Sequence, residues 1–247
     1  MKRQALGWIV GGSLLISGHL AAQPLSDLND RLEAMRSDRP IRVKMDVELR
    51  HKGSAPLHLN DNKRKGAAIV TFGPRGIDVR EKWTRGSSSK YSVWRSQNEE
   101  EIVPLVDQAE ARDLIDAAGT IANLLSEAVL VSDERTIWQG RPARLLTFAP
   151  ARMEEDVEAV RTLQKNDPTP FGELKLWLDE SGAPIALERT MDFGIGRAVD
   201  LAESQTVTFQ QVDGRLLAAT SESSYSGTAL AVLRGRDTKK VKVTVVK

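Results

Sequence analysis

Ile41-Arg42-Val43-Lys44-Met45-Asp46-Val47-Glu48-Leu49-Arg50 decides the fold. Every second side chain is apolar and every intervening one is charged. A β-strand sends successive side chains to opposite faces, so the stretch predicts a strand with one oily face and one wet face. Just ahead of it, Leu25, Leu28, Leu32 and Met35 recur at spacings of three and four, with Ser26 or Asp27 as N-cap and Pro40 as the stop. That pattern predicts a short helix lying on the protein along one narrow stripe.

Beyond Arg50 a polar stretch with Gly53, Pro56 and Asn60 to Lys65 reads as a loop. Strands are predicted at Ala67 to Phe72, Ile77 to Trp83 and Tyr91 to Arg95, with turns at Gly73, Pro74 and Gly76 and at Gly86 to Ser89. The period then changes. From Pro104 to Val129 a helix is predicted, with Leu114, Ala118, Ile121, Leu125 and Ala128 on one stripe, widened by Ile115, Ala122 and Val129. Gly119 sits in its middle, where glycine costs roughly 1 kcal/mol against alanine, and it suggests a bend or a close approach to the sheet.

Strands resume at Leu130 to Trp138 and Ala143 to Phe148 around the turn Gln139-Gly140. A shorter helix between Pro150 and Pro168 carries Met153, Val157, Val160 and Leu163 at helical spacing. The rest reads as β: Glu173 to Leu178, Ile185 to Phe193, Leu201 to Val212, Leu216 to Ser223, and a last strand with Val241, Val243 and Val245. Asp179 to Gly182 and Asp213-Gly214 supply tight turns. About ten or eleven strands with hairpin connections and no alternating βαβ rhythm predict class α+β: a curved antiparallel sheet covered by helices.

The first 22 residues read as a secretory signal peptide, cleaved near Ala22: Lys2 and Arg3, an apolar run from Ala5 to Ile16, then small residues. About 12 apolar residues are too few to span a bilayer; retention as an uncleaved anchor is the alternative. The remainder, residues 23–247, reads as a single exported, periplasmic domain. Without Lys2 and Arg3, 33 basic residues face 34 acidic ones, so no overall field draws this domain to nucleic acid. With no cysteine, it builds neither disulfide nor thiolate metal site.

The order of elements resembles the LolA/LolB-like family of envelope proteins. Leu28 to Arg31-Leu32 is similar to that family's opening helix, and Ala143-Arg144-Leu145-Leu146-Thr147-Phe148-Ala149-Pro150 to its strand ending in proline. Leu174-Lys175-Leu176-Trp177-Leu178-Asp179-Glu180-Ser181-Gly182-Ala183-Pro184-Ile185 is similar to its strand, acidic glycine turn and strand. The resemblance implies an unclosed β-barrel with helices over its concave side. It also implies binding of a lipid, a lipoprotein acyl chain or a related amphiphile, with a membrane-associated envelope protein as a further partner. The missing cysteine excludes the family's lipid-anchored receptor form.

Chemistry-bearing motifs are weak. His51 and His58 fall in the polar stretch with Asp61 nearby, short of a full ligand set, so no metal site is assigned. Ser87-Ser88-Ser89-Lys90 fits the Ser-x-x-Lys spacing of a nucleophile but reads as a turn, and Glu99, Glu100 and Glu101 read as a solvated run. No catalytic residue and no cofactor is predicted; a hydrolase using Ser87 or His51 is the weakest reading. The apolar faces carry two readings. Ile77, Val79 and Trp83, Leu176, Leu187 and Met191, with Leu114, Ala118, Ile121 and Leu125 of the helix, are either plain core or the lining of an acyl-chain cavity. If they are core alone, the chain is an envelope interaction module. Trp94, Trp138 and Trp177 fall on the opposite strand faces, toward an edge or a partner.

Overall fold

The computed structural model describes residues 22–55, 58–84, 104–150, 172–195, 199–229 and 233–246. The predicted leader, the strand at Tyr91 to Arg95, the helix between Pro150 and Pro168, Ser87 to Lys90, Trp94 and Glu99 to Glu101 lie outside the described residues.

Helix α1 (Ala22–Ala34) leads into β1 (Ile41–Ala55), β2 (His58–Gly73) and β3 (Gly76–Trp83). Helices α2 (Gln108–Ile115) and α3 (Ala117–Ser126) follow. Then come β4 (Ala128–Trp138), β5 (Arg141–Pro150), β6 (Gly172–Leu178), β7 (Pro184–Ile195), β8 (Val199–Val212), β9 (Arg215–Ala229) and β10 (Leu233–Val245). All ten strands join one antiparallel sheet in the order β3-β2-β1-β10-β9-β8-β7-β6-β5-β4. The sheet curves without closing: among the described residues β3 and β4 are its two edges, and the chain passes from one to the other by way of α2 and α3.

Hairpins set the registers. At Gln139-Gly140 and Asp213-Gly214 both central residues have positive φ, the twist that matches two-residue hairpins, and glycine takes the second place at no steric cost. The first strand extends further than its alternation predicts. Residues Gly53 and Asn60 to Lys65 are not a loop: β1 continues to Ala55 and β2 begins at His58, paired without a break. The ladder's regular hydrogen bonds hold this extension where no apolar alternation marks it.

The long predicted helix is also corrected. It is two helices that break at Asp116, and Val129 belongs to the edge strand β4, where it is 56% exposed. Asp116 ends α2, its N–H donating to the Arg112 carbonyl, and begins α3 by accepting from the Gly119 N–H at 3.2 Å. The bend is therefore an internal N-cap one turn before Gly119.

The apolar interior divides in two. One cluster joins Val43, Met45, Val47, Ala68, Val70, Val241 and Val243 to Leu105, Val106, Ala111, Leu114 and Ile115. The other joins Leu146, Phe148, Leu174, Leu176 and Leu187 to Leu28, Leu32 and Met35 of α1 and Ala117, Ala118 and Ile121 of α3. A small third cluster lies on the convex side, where the Trp138 and Trp177 rings stand 4.4 Å apart beside Ala143 and Ala186. Trp177, read as an exposure candidate, is 7% exposed because Trp138 shields it.

Candidate functional site

Cross-strand register carries one row of side chains over the whole concave face. Asp133, Leu146, Leu176, Leu187, Val207, Ser221, Val241, Val47, Gly66 and Trp83 are successive partners from β4 to β3. Paired residues share a face, so this row is a nearly continuous apolar band. Two residues along each strand the row changes character: Arg189, Gln205, Ser223 and Lys239 occupy its middle. Two further along stand Met191, Glu203, Tyr225, Asp237 and His51. Roughly 7 Å of strand therefore separates the oily floor from the first charged row.

Two ion pairs link residues of the polar rows. Arg189 pairs with Glu203 at 2.8 Å, and His51 Nδ1 lies 2.6 Å from Asp237 Oδ1. Arg64, only 1% exposed, stacks its guanidinium 3.9 Å over the Trp83 ring. The helices sit on the border. Ala111, Leu114 and Ile115 of α2 face the apolar band, while Glu110 grips Lys239 of β10. Burial pushes the Glu110 carboxyl above its ordinary range, opposed by the Lys239 charge and hydrogen bond. Burial also raises Asp113, against a hydrogen bond from Thr120.

Two contacts fasten the segment entering α2 to the β3 edge. Leu105 is fully buried over Gly66, and the Glu81 carboxylate accepts the Val106 N–H at 2.9 Å. A Cβ at Gly66 would stand 2.4 Å from the Leu105 side chain, so the absent side chain is what admits Leu105.

The predicted lining residues divide between the clusters. Leu114, Ile77, Val79 and Trp83 pack in the first; Ala118, Ile121, Leu125, Leu176 and Leu187 pack in the second. Met191 belongs to neither and is 43% exposed, in the row beyond the apolar band. His51 is a strand residue facing Asp237, not a loop residue; the side chains of His58 and Asp61 lie outside the described set. Among the described residues no three His, Asp or Glu side chains gather as metal ligands. No described helix is long and apolar enough to cross a membrane.

Arg64, Glu110, Arg189, Glu203, Asp237 and Lys239 were not legible as a group. The available signal is parity: His51 and Gly53 continue the core-facing positions of β1 after the apolar residues stop at Leu49.

A second feature lies at the other end of the concave side. A cleft of about 580 Å³ opens between α1, the β4–β5 hairpin and the β6–β7 turn. Arg31, Arg135 and Arg144 line it, with Leu28 and Leu178 of the second cluster.

Solved structures share only a distant likeness. No family model and no curated protein matches the sequence. A DUF1329 family protein from Desulfovibrio piger is 10% identical over 91% of each chain, with a TM-score of 0.34. A conserved protein with a hot dog fold from Alicyclobacillus acidocaldarius is 9% identical over 94% of this chain and 88% of that one, with a TM-score of 0.14. Likenesses this distant say nothing of what the chain binds.

Proposed function

We propose that the chain is a non-catalytic periplasmic carrier or sensor that takes up a lipid, a lipoprotein acyl chain or a similar amphiphile between the sheet and its helices. The observation that supports it most is one concave face whose Leu176-Leu187-Val207-Val47 band is bordered by charge, at Arg189 and Glu203 along the strands and at Arg135 and Arg144 toward the β4 edge. An amphiphile needs both surfaces. Each buried methylene contributes ~0.8 kcal/mol, so a chain of about ten carbons offers ~8 kcal/mol toward parting the helices from the sheet. The open seam between β3 and β4 lets α2 and α3 move without breaking a strand pairing. No cofactor and no nucleic acid belongs to this proposal.

One observation favours a second reading, an envelope interaction module with a self-filled core. Leu114, Ala118, Ile121, Leu176 and Leu187 are each 4% exposed or less and already pack against one another or their neighbours. Native mass spectrometry of the protein purified from membranes separates the two. Co-purifying amphiphile, and a delipidated protein that binds a fluorescent fatty acid at micromolar concentration, are expected of the carrier. Protein free of ligand that also ignores the probe would establish the second reading.

A further inference from the structure

We infer that the cleft at Arg135 receives the singly charged oxyanion of the amphiphile's headgroup, a phosphodiester or carboxylate; this deepens the proposed carrier function and rests on it. Arg135 of β4 stands directly opposite Arg144 of β5. Like charges facing each other across a strand pair repel, so an anion beside either one is favoured. Arg144 has one: Asp133 binds it through two hydrogen bonds, Nε to Oδ1 at 2.7 Å and a second guanidinium nitrogen to Oδ2 at 2.5 Å. Its pKa is raised by that hydrogen bond first, and the Asp27 charge adds to the rise. Arg135 makes no ion pair or hydrogen bond among the described residues, and its side chain lines the cleft.

Two other charged groups at the cleft, Arg31 and Asp179, are committed. Arg31 donates to the Ser181 carbonyl and lies against Gly182, with Cζ 3.3 Å from where a Cβ would stand. Asp179 is spent on its turn, where Oδ1 accepts from the Ser181 and Ala183 N–H groups, each at 2.9 Å, and from the Ser181 hydroxyl. Asp27 and Glu180 keep the cleft's net charge low, which suits a monoanion over a phosphate dianion. An arginine fork with every donor open binds such a group bidentately. Leu28 and Leu178 join the cleft to the second apolar cluster, so a chain attached to that headgroup enters the interior beneath α1.

The test uses the mature full-length chain and three probes below micellar concentration: a lysophosphatidylglycerol, a neutral monoacylglycerol of equal chain length, and inorganic phosphate. The wild type is expected to bind the anionic lipid about 10-fold more tightly than the neutral one. Arg135→Gln should bring the two level while leaving the neutral affinity unchanged; Arg135→Lys should restore part of the preference. Arg80→Gln on the opposite edge should change nothing. A preference that survives Arg135→Gln overturns the headgroup site and leaves the carrier reading intact. Binding of inorganic phosphate as tightly as of the lipid overturns the headgroup assignment. Failure of the wild type to bind either lipid removes the carrier reading itself.

Discussion

Asp116 Oδ1 accepts the Gly119 N–H at 3.2 Å, and a Cβ at Gly119 would lie 2.4 Å from the other oxygen of that carboxylate. The two residues form one device: the aspartate caps α3, and the glycine keeps room for the cap. Asp116→Ala is expected to cost about 1 kcal/mol, the usual worth of an N-cap. Gly119→Ala dislodges the same cap while gaining helix propensity of similar size, so its net effect should be small. In the double variant the Asp116→Ala cost should largely vanish. Urea unfolding of the four proteins reads the coupling, and additive effects would refute the shared cap.

Gly66 predicts a second packing dependence. A methyl there meets the Leu105 side chain at 2.4 Å and the Lys82 carbonyl at 2.9 Å, and the carbonyl belongs to backbone that does not yield. Gly66→Ala should destabilise by about 1–3 kcal/mol through overpacking. Leu105→Ala should cost about 2–5 kcal/mol through the cavity it leaves. Both should raise hydrogen exchange in α2 more than in α1, because Leu105 anchors the segment that enters α2. Equal protection of α2 in wild type and variants would show that the anchor does not hold the helix.

Those contacts also explain what the sequence disclosed and what it hid. The alternation of Ile41 to Arg50 revealed β1 because its core-facing residues are apolar, and the turns at Gly140 and Gly214 revealed their hairpins because positive φ selects glycine. The ends of β1 and β2 were illegible because the inward positions there, His51 and Arg64, are polar and face Asp237 and the Trp83 ring, partners brought by other strands. The break at Asp116 was masked by an apolar stripe that runs through it, since Leu114 and Ile115 before it and Ala118 and Ile121 after it are all buried. Val129 prolonged that stripe by coincidence. Face placed nine of the ten apolar candidates in the two clusters and misplaced Met191, and face alone does not distinguish core from cavity wall.

Glu48 gives a pH dependence of definite sign. Lys63 at 2.6 Å and Lys65 at 2.7 Å hold its carboxylate, lowering its pKa from 4.5 to about 2. The unfolded chain binds the proton more readily, so this stabilisation is complete above about 4.5 and is lost as pH falls toward 2. Exposure and salt screening keep it below about 1 kcal/mol. Glu48→Gln should flatten that part of the acid limb at low salt and have little effect at 1 M salt. An unchanged slope would mean that neither lysine contributes.

Glu110 has the opposite sign. Burial raises its pKa, so the folded state binds the proton more tightly and stability falls as pH climbs from 4.5 through the raised value. Lys239 opposes that rise. Lys239→Met removes the cation, lifts the Glu110 pKa further and should cost more at pH 7.5 than at pH 4. Adding Glu110→Gln should restore most of the loss at the higher pH, because no unpaired carboxylate remains to be buried. Urea midpoints at the two pH values measure it, and a pH-independent loss would assign Lys239 a packing role alone.

Trp83 reports on whether a chain reaches the apolar band. It ends the row that begins at Asp133, packs with the first cluster beneath α2, and carries Arg64 on its ring. Trp138 and Trp177 lie on the other side of the sheet, so among the described tryptophans a ligand between sheet and helices approaches Trp83 and not the pair. A fatty acid brominated midway along its chain quenches indole fluorescence only at contact. Its addition should quench part of the wild-type emission, and Trp83→Phe should abolish that part while leaving affinity for the unbrominated acid within about twofold. Trp177→Phe should keep the quenching. Quenching that survives Trp83→Phe but disappears with Trp177→Phe would place the ligand on the convex face and remove the concave site.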